Sequence, residues 1–145
     1  MKSNVLTDWE HLEYKDVPKP VPAKGRVLIR VLYGGVCGSD ITVYHHRHLT
    51  ATVPRIMCHE VLGIVEEINT DEPVCYEVGD RVVVYHISGC GQCDECRRGY
   101  QISCTGAGRA AYGWQRDGGH ADQILVEERD CVVLPDFVTF MDGAC

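Results

Sequence analysis

Short apolar runs separated by glycine turns set the pattern of this chain. Val27, Ile29 and Val31 alternate with Leu28, Arg30 and Leu32 ahead of Gly34-Gly35, which is the period of a β-strand closed by a turn. Val61 to Ile68, Arg81 to Tyr85, Ala121 to Val126 and Cys131 to Leu134 are equally short and rich in Val, Ile and Leu, with Gly79-Asp80 and Gly118-Gly119 as turns between them. Val17-Pro18-Lys19-Pro20-Val21-Pro22 holds too many prolines for a helix or a central strand, and predicts an extended connector after which the sheet begins. One short helix is predicted from about Ser39 to His45, capped by Ser39 or Asp40. Many short strands between glycine turns predict a mainly β fold, a barrel or sandwich, with few helices.

The stretch from Gly89 to Gly108 breaks that pattern, because it is rich in glycine and cysteine and too poor in apolar residues to build a core. Its cysteines Cys90, Cys93, Cys96 and Cys104 are separated by two, two and seven residues. A compact loop with that spacing can bring four sulfurs around one tetrahedral centre, each at roughly 2.3 Å, and four thiolates leave zinc no open position. Such a site stabilises the fold and performs no chemistry. An iron-sulfur cluster, a pair of disulfides and free thiols are the competing readings; a ferredoxin run would add a further cysteine and a proline, and here Thr105 comes next.

Composition narrows the function classes. The 145 residues fit a single domain, and 14 basic residues against 21 acidic ones give a net charge of -7, with no basic stripe for a nucleic acid. The N-terminal residues lack the apolar core of an export signal, and no run approaches the roughly 18 apolar residues of a membrane span. The expectation is a soluble, cytoplasmic protein with no membrane partner, whose nine cysteines serve metal binding more than disulfides.

Two further segments carry chemistry. Val36-Cys37-Gly38-Ser39-Asp40 and Met57-Cys58-His59-Glu60 supply a thiolate, an imidazole and two carboxylates beside glycines. Cys37 and His59 are acceptable ligands for a catalytic zinc, which takes three protein ligands and keeps a fourth position open. Taken alone, Cys37 is more often a buried core thiol and His59 a hydrogen-bonded core histidine, and spacing cannot overturn that, because the two lie far apart in sequence.

The order GVCGSD, CHEVLGIVEEI, VGDRVVV, CGQCDECRRGYQISC and DGGHADQILV resembles the N-terminal domain of zinc-dependent medium-chain alcohol and polyol dehydrogenases, over nearly the whole chain. The resemblance implies a GroES-like fold, a partly open β barrel, with residues 1–145 as one catalytic domain bearing a zinc-binding lobe. It implies that Cys37 and His59 ligate a catalytic zinc and that Cys90, Cys93, Cys96 and Cys104 ligate a structural one. Ser39 then matches the hydroxyl that takes the substrate's proton, Asp40 the carboxylate that orients the ligand histidine, and Glu60 a carboxylate beside the zinc that exchanges with water. Zinc lowers the pKa of a hydroxyl placed against it, so that a small alcohol or polyol can ionise near neutral pH and expel hydride to NAD or NADP.

The sequence departs from that family in several places. The Rossmann cofactor domain that comes next in family members is absent, which predicts a truncated and inactive fragment of a homo-oligomeric parent. Gly106-Ala107-Gly108-Arg109-Ala110-Ala111 fits a dinucleotide fingerprint but comes after a metal loop instead of a strand, so it is read as a decoy. The third catalytic ligand is expected just past the chain's end, with Cys145 a candidate that falls slightly early. Cys58 stands where the family has glycine, and Thr42 where many members have a relay histidine, leaving His45 or His46 as substitutes. His48 reads with them as an exposed polar loop. His86 falls where the family places a substrate-pocket residue, with an ordinary strand-end histidine as the alternative. Trp9, Tyr112 and Trp114 read as core, His120 as structural and His11 as exposed. The alternative function is a stand-alone structural zinc module of the same fold without catalysis; a redox protein using its CxxC thiols is a third reading.

Overall fold

A computed structural model describes residues 1–45 and 51–143. Strands β1 (Lys2–Asp8) and β2 (His11–Asp16) form a hairpin, extended by β4 (Arg55–Ile56) in the order β2-β1-β4. A five-stranded antiparallel sheet is built from β3 (Arg26–Gly34), β5 (Val61–Asn69), β6 (Arg81–Val84), β9 (Gln123–Glu127) and β10 (Cys131–Val133), in the order β10-β6-β5-β3-β9. The sheets are open, since β10 and β9 lie at opposite edges of the larger one. The mainly β, partly open architecture expected from the sequence is what the chain adopts. Helix α1 (Gly38–His45) comes after β3 as expected, and the short helices α2 (Asp94–Arg97) and α3 (Phe140–Gly143) add turns that the apolar pattern does not mark.

The expectation that the sheet begins after the proline connector is corrected by β1 and β2. β2 reads His-Leu-Glu-Tyr-Lys-Asp and lies almost wholly exposed, so it has no apolar alternation to betray it and exists by pairing with β1. β1 buries Ser3, Val5 and Leu6, two of them adjacent, which also breaks the period of two.

Among the described residues, two apolar clusters hold the fold. Val27, Ile29, Val61, Val65, Val82, Val84, Ile124 and Val126 pack with Tyr112 in one. Leu6, Val43, Ala51 and Met57 form the other; of the aromatic residues read as core, Tyr112 is fully buried, and Trp9 and Trp114 are partly buried against this second cluster. Within the first cluster a buried polar contact ties Tyr112 to the five-stranded sheet. Asp130, in the turn between β9 and β10, accepts a 2.8 Å hydrogen bond from the hydroxyl of Tyr112, which in turn accepts the backbone N–H of Glu127 at 2.9 Å. Burial outweighs that hydrogen bond and pushes the Asp130 carboxyl up to about 6.

A carboxyl raised on folding binds its proton more tightly in the folded chain than in the unfolded one. Stability therefore falls as the pH rises from the ordinary carboxylate range through about 6. Asp130→Asn still accepts from Tyr112 but has no charge to lose. Relative to that variant, the natural chain is expected to lose about 2–3 kcal/mol of unfolding free energy between pH 4 and pH 7. Urea titrations of both proteins check this, and thiolate protonation, common to both, cancels in the difference.

Candidate functional site

β3 and β5 run antiparallel, with Gly34 opposite Val61, and the Gly35 N–H donates to the Glu60 carbonyl at 2.8 Å to carry the ladder one step further. The turn after β3 therefore lies against the turn before β5. Cys37, His59 and Glu60, though separated by more than twenty positions in part, offer ligand atoms within 4.8 Å of one another. Among the described residues this is one of two groups able to hold a metal ion; the other is Cys90, Cys93, Cys96 and Cys104.

Glu60 has its place because Gly35 has no side chain: a Cβ there would fall 2.1 Å from Glu60 Oε2. Sequence reasoning took Gly34-Gly35 only as the end of a strand. The start of α1 is fixed by Asp40, whose Oδ2 accepts the Cys37 N–H at 2.9 Å, a reversed capping contact that also anchors the thiol-bearing residue. Asp40 is the cap the structure shows, while Ser39 turns its Oγ to His59 Nε2 at 3.4 Å. The other oxygen of Asp40 faces His59 Nδ1 at 3.8 Å, and both atoms are buried without a hydrogen-bond partner among the described residues. An ion on Nε2 would leave the proton on Nδ1, directed at that carboxylate. The two orphaned atoms thus fit a metal on His59.

Cys58 does not join this group. It is wholly buried, at φ 82°, with its Sγ donating to the Glu60 carbonyl at 3.5 Å, and burial pushes the thiol up to about 12. That positive φ is the conformation glycine adopts at no cost, and a Cβ on Gly113 would lie 2.9 Å from the backbone of Cys58. His59 and His86 have ring centroids 6.1 Å apart and share with Glu60 and Tyr85 the wall of a cavity of about 550 Å³. Burial, then the neighbouring His59 and Arg109, hold the His86 imidazole below its ordinary pKa, so it is neutral at pH 7. A cavity of about 590 Å³ elsewhere shares no residue with either metal group, and its arginines are paired: Arg26 and Arg116 with Glu127, Arg55 with Asp117. His46, His48 and Cys145 lie outside the described residues. His45 pairs with Glu10 at 2.7 Å, and His11 is exposed.

In the four-cysteine lobe, Cys93 Sγ and Cys104 Sγ are 3.9 Å apart. Ligands at roughly 2.3 Å around a tetrahedral ion are separated by about 3.8 Å, whereas a disulfide would require about 2.05 Å. Backbone N–H groups are aimed at the sulfurs: Cys90 and Gly106 donate to Cys104 Sγ, both at 3.3 Å, and Cys93 donates to Cys90 Sγ at 3.4 Å. The N–H groups of Cys96 and Thr105 hold the Cys93 thiol down to about 6, those of Gln92 and Cys93 hold Cys90 below its ordinary value, and desolvation pushes Cys96 up to about 11. Sulfurs this crowded, some ready to ionise and one resisting, call for a cation among them. The fingerprint-like Gly106 serves the lobe, since a Cβ there would fall 2.6 Å from Cys90 Sγ. The next element along the chain is the strand β8 (Ala110–Ala111), paired with β7 (Ile87–Ser88), where a dinucleotide site needs a helix.

Residues 23–136 match the family described as alcohol dehydrogenase GroES-like domain. The chain belongs to that family. This GroES-like domain is 46% identical over 143 residues, 92% of the chain, to the uncharacterized zinc-type alcohol dehydrogenase-like protein YphC of Escherichia coli K12, and 31% identical over 139 residues, 94% of the chain, to the D-arabitol-phosphate dehydrogenase of Enterococcus avium. It covers 40% and 38% of those proteins, so the chain spans about two fifths of the length of the curated relatives it matches. The solved structure of the alcohol dehydrogenase rspB from E. coli CFT073, complexed with NADH, superposes with a TM-score of 0.87 at 28% identity, over 99% of this domain and 41% of that chain.

Proposed function

We propose that this chain is the zinc-binding catalytic domain of an NAD(P)-dependent alcohol or polyol dehydrogenase. A closed structural zinc would be held by Cys90, Cys93, Cys96 and Cys104, and an open catalytic zinc by Cys37, His59 and Glu60. The observation that carries the reading is the meeting of thiolate, imidazole and carboxylate at the wall of a cavity, with Asp40 behind the imidazole. Three ligands leave one tetrahedral position for a substrate oxygen. When bound there, zinc supplies a Lewis acid that eases loss of the hydroxyl proton near neutral pH.

The chain's own residues supply the remaining steps. Ser39 Oγ lies beside His59 and is placed to take the proton and hand it outward. Asp40 fixes the Cys37 backbone with one oxygen and orients His59 with the other. Neutral His86 can donate or accept a hydrogen bond, which suits a substrate with several hydroxyls, the class named for the arabitol-phosphate relative. The hydride acceptor, NAD or NADP, would be held by another part of a longer protein, so the 145-residue chain alone is expected to bind metal and alcohol without turnover.

Elemental analysis of chain produced with ample zinc is expected to find two equivalents, and Cys37→Ser to retain one. In cobalt-substituted protein, sorbitol or a simple alcohol is expected to shift the visible bands of the natural chain and leave those of Cys37→Ser unchanged. A single zinc, with bands indifferent to any alcohol, would make the chain a structural module without catalysis.

A further inference from the structure

From the hydrogen bonds that join the two ligand-bearing turns, we infer that His120 is a positioning residue that sets the separation of Cys37 from His59 and Glu60. The inference deepens the reading of the Cys37 group as a metal site and rests on it. Residues Gly118 to His120 run as a ribbon along the segment that leads into His59. The N–H of Gly118 donates to the Ile56 carbonyl at 2.8 Å, that of Gly119 to Cys58 at 3.1 Å, and that of His120 to Met57 at 3.1 Å. The His120 side chain then reaches across to the other turn, where its Nε2 lies 3.1 Å from the Gly35 carbonyl. A carbonyl only accepts, so this nitrogen carries the proton.

Gly35 is a sensitive point to hold. It stands two residues before Cys37, its N–H donates to the Glu60 carbonyl at 2.8 Å, and its bare Cα is the seat of the Glu60 carboxylate. The two peptides that flank Gly35 are thus held, one through its N–H by the residue that bears a carboxylate ligand and the other through its carbonyl by His120. Packing adds to the hydrogen bond, because a Cβ on Gly34 would already lie 3.4 Å from the His120 ring and 3.1 Å from Cys58 Sγ. His120 itself is anchored at its backbone: its carbonyl accepts from the Asn4 N–H at 2.8 Å. Rotation of the Gly35 peptide would move Cys37 and the space for Glu60 together, and the imidazole opposes that rotation. Ligand groups must be held to a fraction of an ångström for full affinity, and removal of an outer partner costs a metal site about tenfold or more.

The test is cobalt titration of the full 145-residue chain, monitored in the visible and in the thiolate charge-transfer region, with the four-cysteine site as an internal control. His120→Phe fills similar space without a donor, and is expected to weaken cobalt at the Cys37 site by about tenfold and to broaden its visible bands while the four-cysteine site is unchanged. His120→Gln keeps an N–H donor and is expected to restore most of the affinity. Unchanged affinity and bands in His120→Phe would overturn the inference, as would a His120→Gln that falls as far as His120→Phe. If His120→Phe also loses the four-cysteine signal, the fold has gone and His120→Ala takes its place, read in the same way. A natural chain that binds only one cobalt would overturn the metal reading of the Cys37 group, and this inference with it, which separates that failure from a null result in the variants.

Discussion

Cys104→Ser is expected to remove one zinc per chain and to leave the lobe from Cys90 to Cys104 open to trypsin at Arg97 and Arg98, both exposed. Cys104 is the most buried of the four sulfur-bearing residues and accepts the N–H groups of Cys90 and Gly106, so the substitution removes a thiolate ligand and offers those two donors only a neutral, shorter-reaching hydroxyl. A structural zinc bound by four thiolates contributes an apparent free energy of about 10 kcal/mol or more, comparable with the total stability of a small domain. The lobe has no substitute for it: α2 buries no residue, and neither does the turn from Gln101 to Ser103. Zinc analysis together with timed digestion checks the expectation. A variant that kept its full metal content and its resistance to trypsin would show that apolar packing holds the lobe after all.

Gly118→Ala is expected to cost at least about 3 kcal/mol and to empty the Cys37 group while sparing the four cysteines. A Cβ at this position would fall 1.9 Å from the Cys58 carbonyl oxygen and 2.5 Å from that of Met57. Both are backbone atoms of the segment that presents His59, so no side-chain rotation relieves the clash, and the ribbon must separate from the turn it supports. Gly25→Ala is the control. Gly25 has φ +78° and nothing within 4 Å of an added Cβ, so it carries only the left-handed penalty of about 1–2 kcal/mol, and it lies at the opposite end of β3 from the Cys37 turn. Urea unfolding and metal content of the two variants separate a steric wedge at the site from backbone strain in general.

The parts of the molecule that were legible in the sequence are those where one residue type has one physical use. Val27, Ile29 and Val31 show a strand because their side chains must find a core, and the lobe cysteines show their purpose because nothing else in that stretch can. β2 was illegible because its stability comes from a partner strand and leaves no mark in its own polarity. The second ligand group was half legible. Cys37, His59 and Glu60 are ordinary residues until β3 and β5 pair, and that pairing brings together positions whose spacing carries no information about distance. The particular uses of Gly35 and His120 were illegible for a related reason: a missing side chain and a hydrogen bond to a carbonyl matter only once the neighbour across the gap is known.

The two ligand groups differ in how much of the chain they need. The four thiols lie within one uninterrupted excursion, which leaves the sheet after β7 and rejoins it at β8, whereas the Cys37 group draws on β3, α1, β5 and the ribbon before β9. Loop closure over so few positions costs little entropy, so the excursion behaves as a cassette. Evolution can shorten it, replace its ion or delete it by altering one contiguous tract, while any change to the other centre has to be negotiated with most of the domain at once.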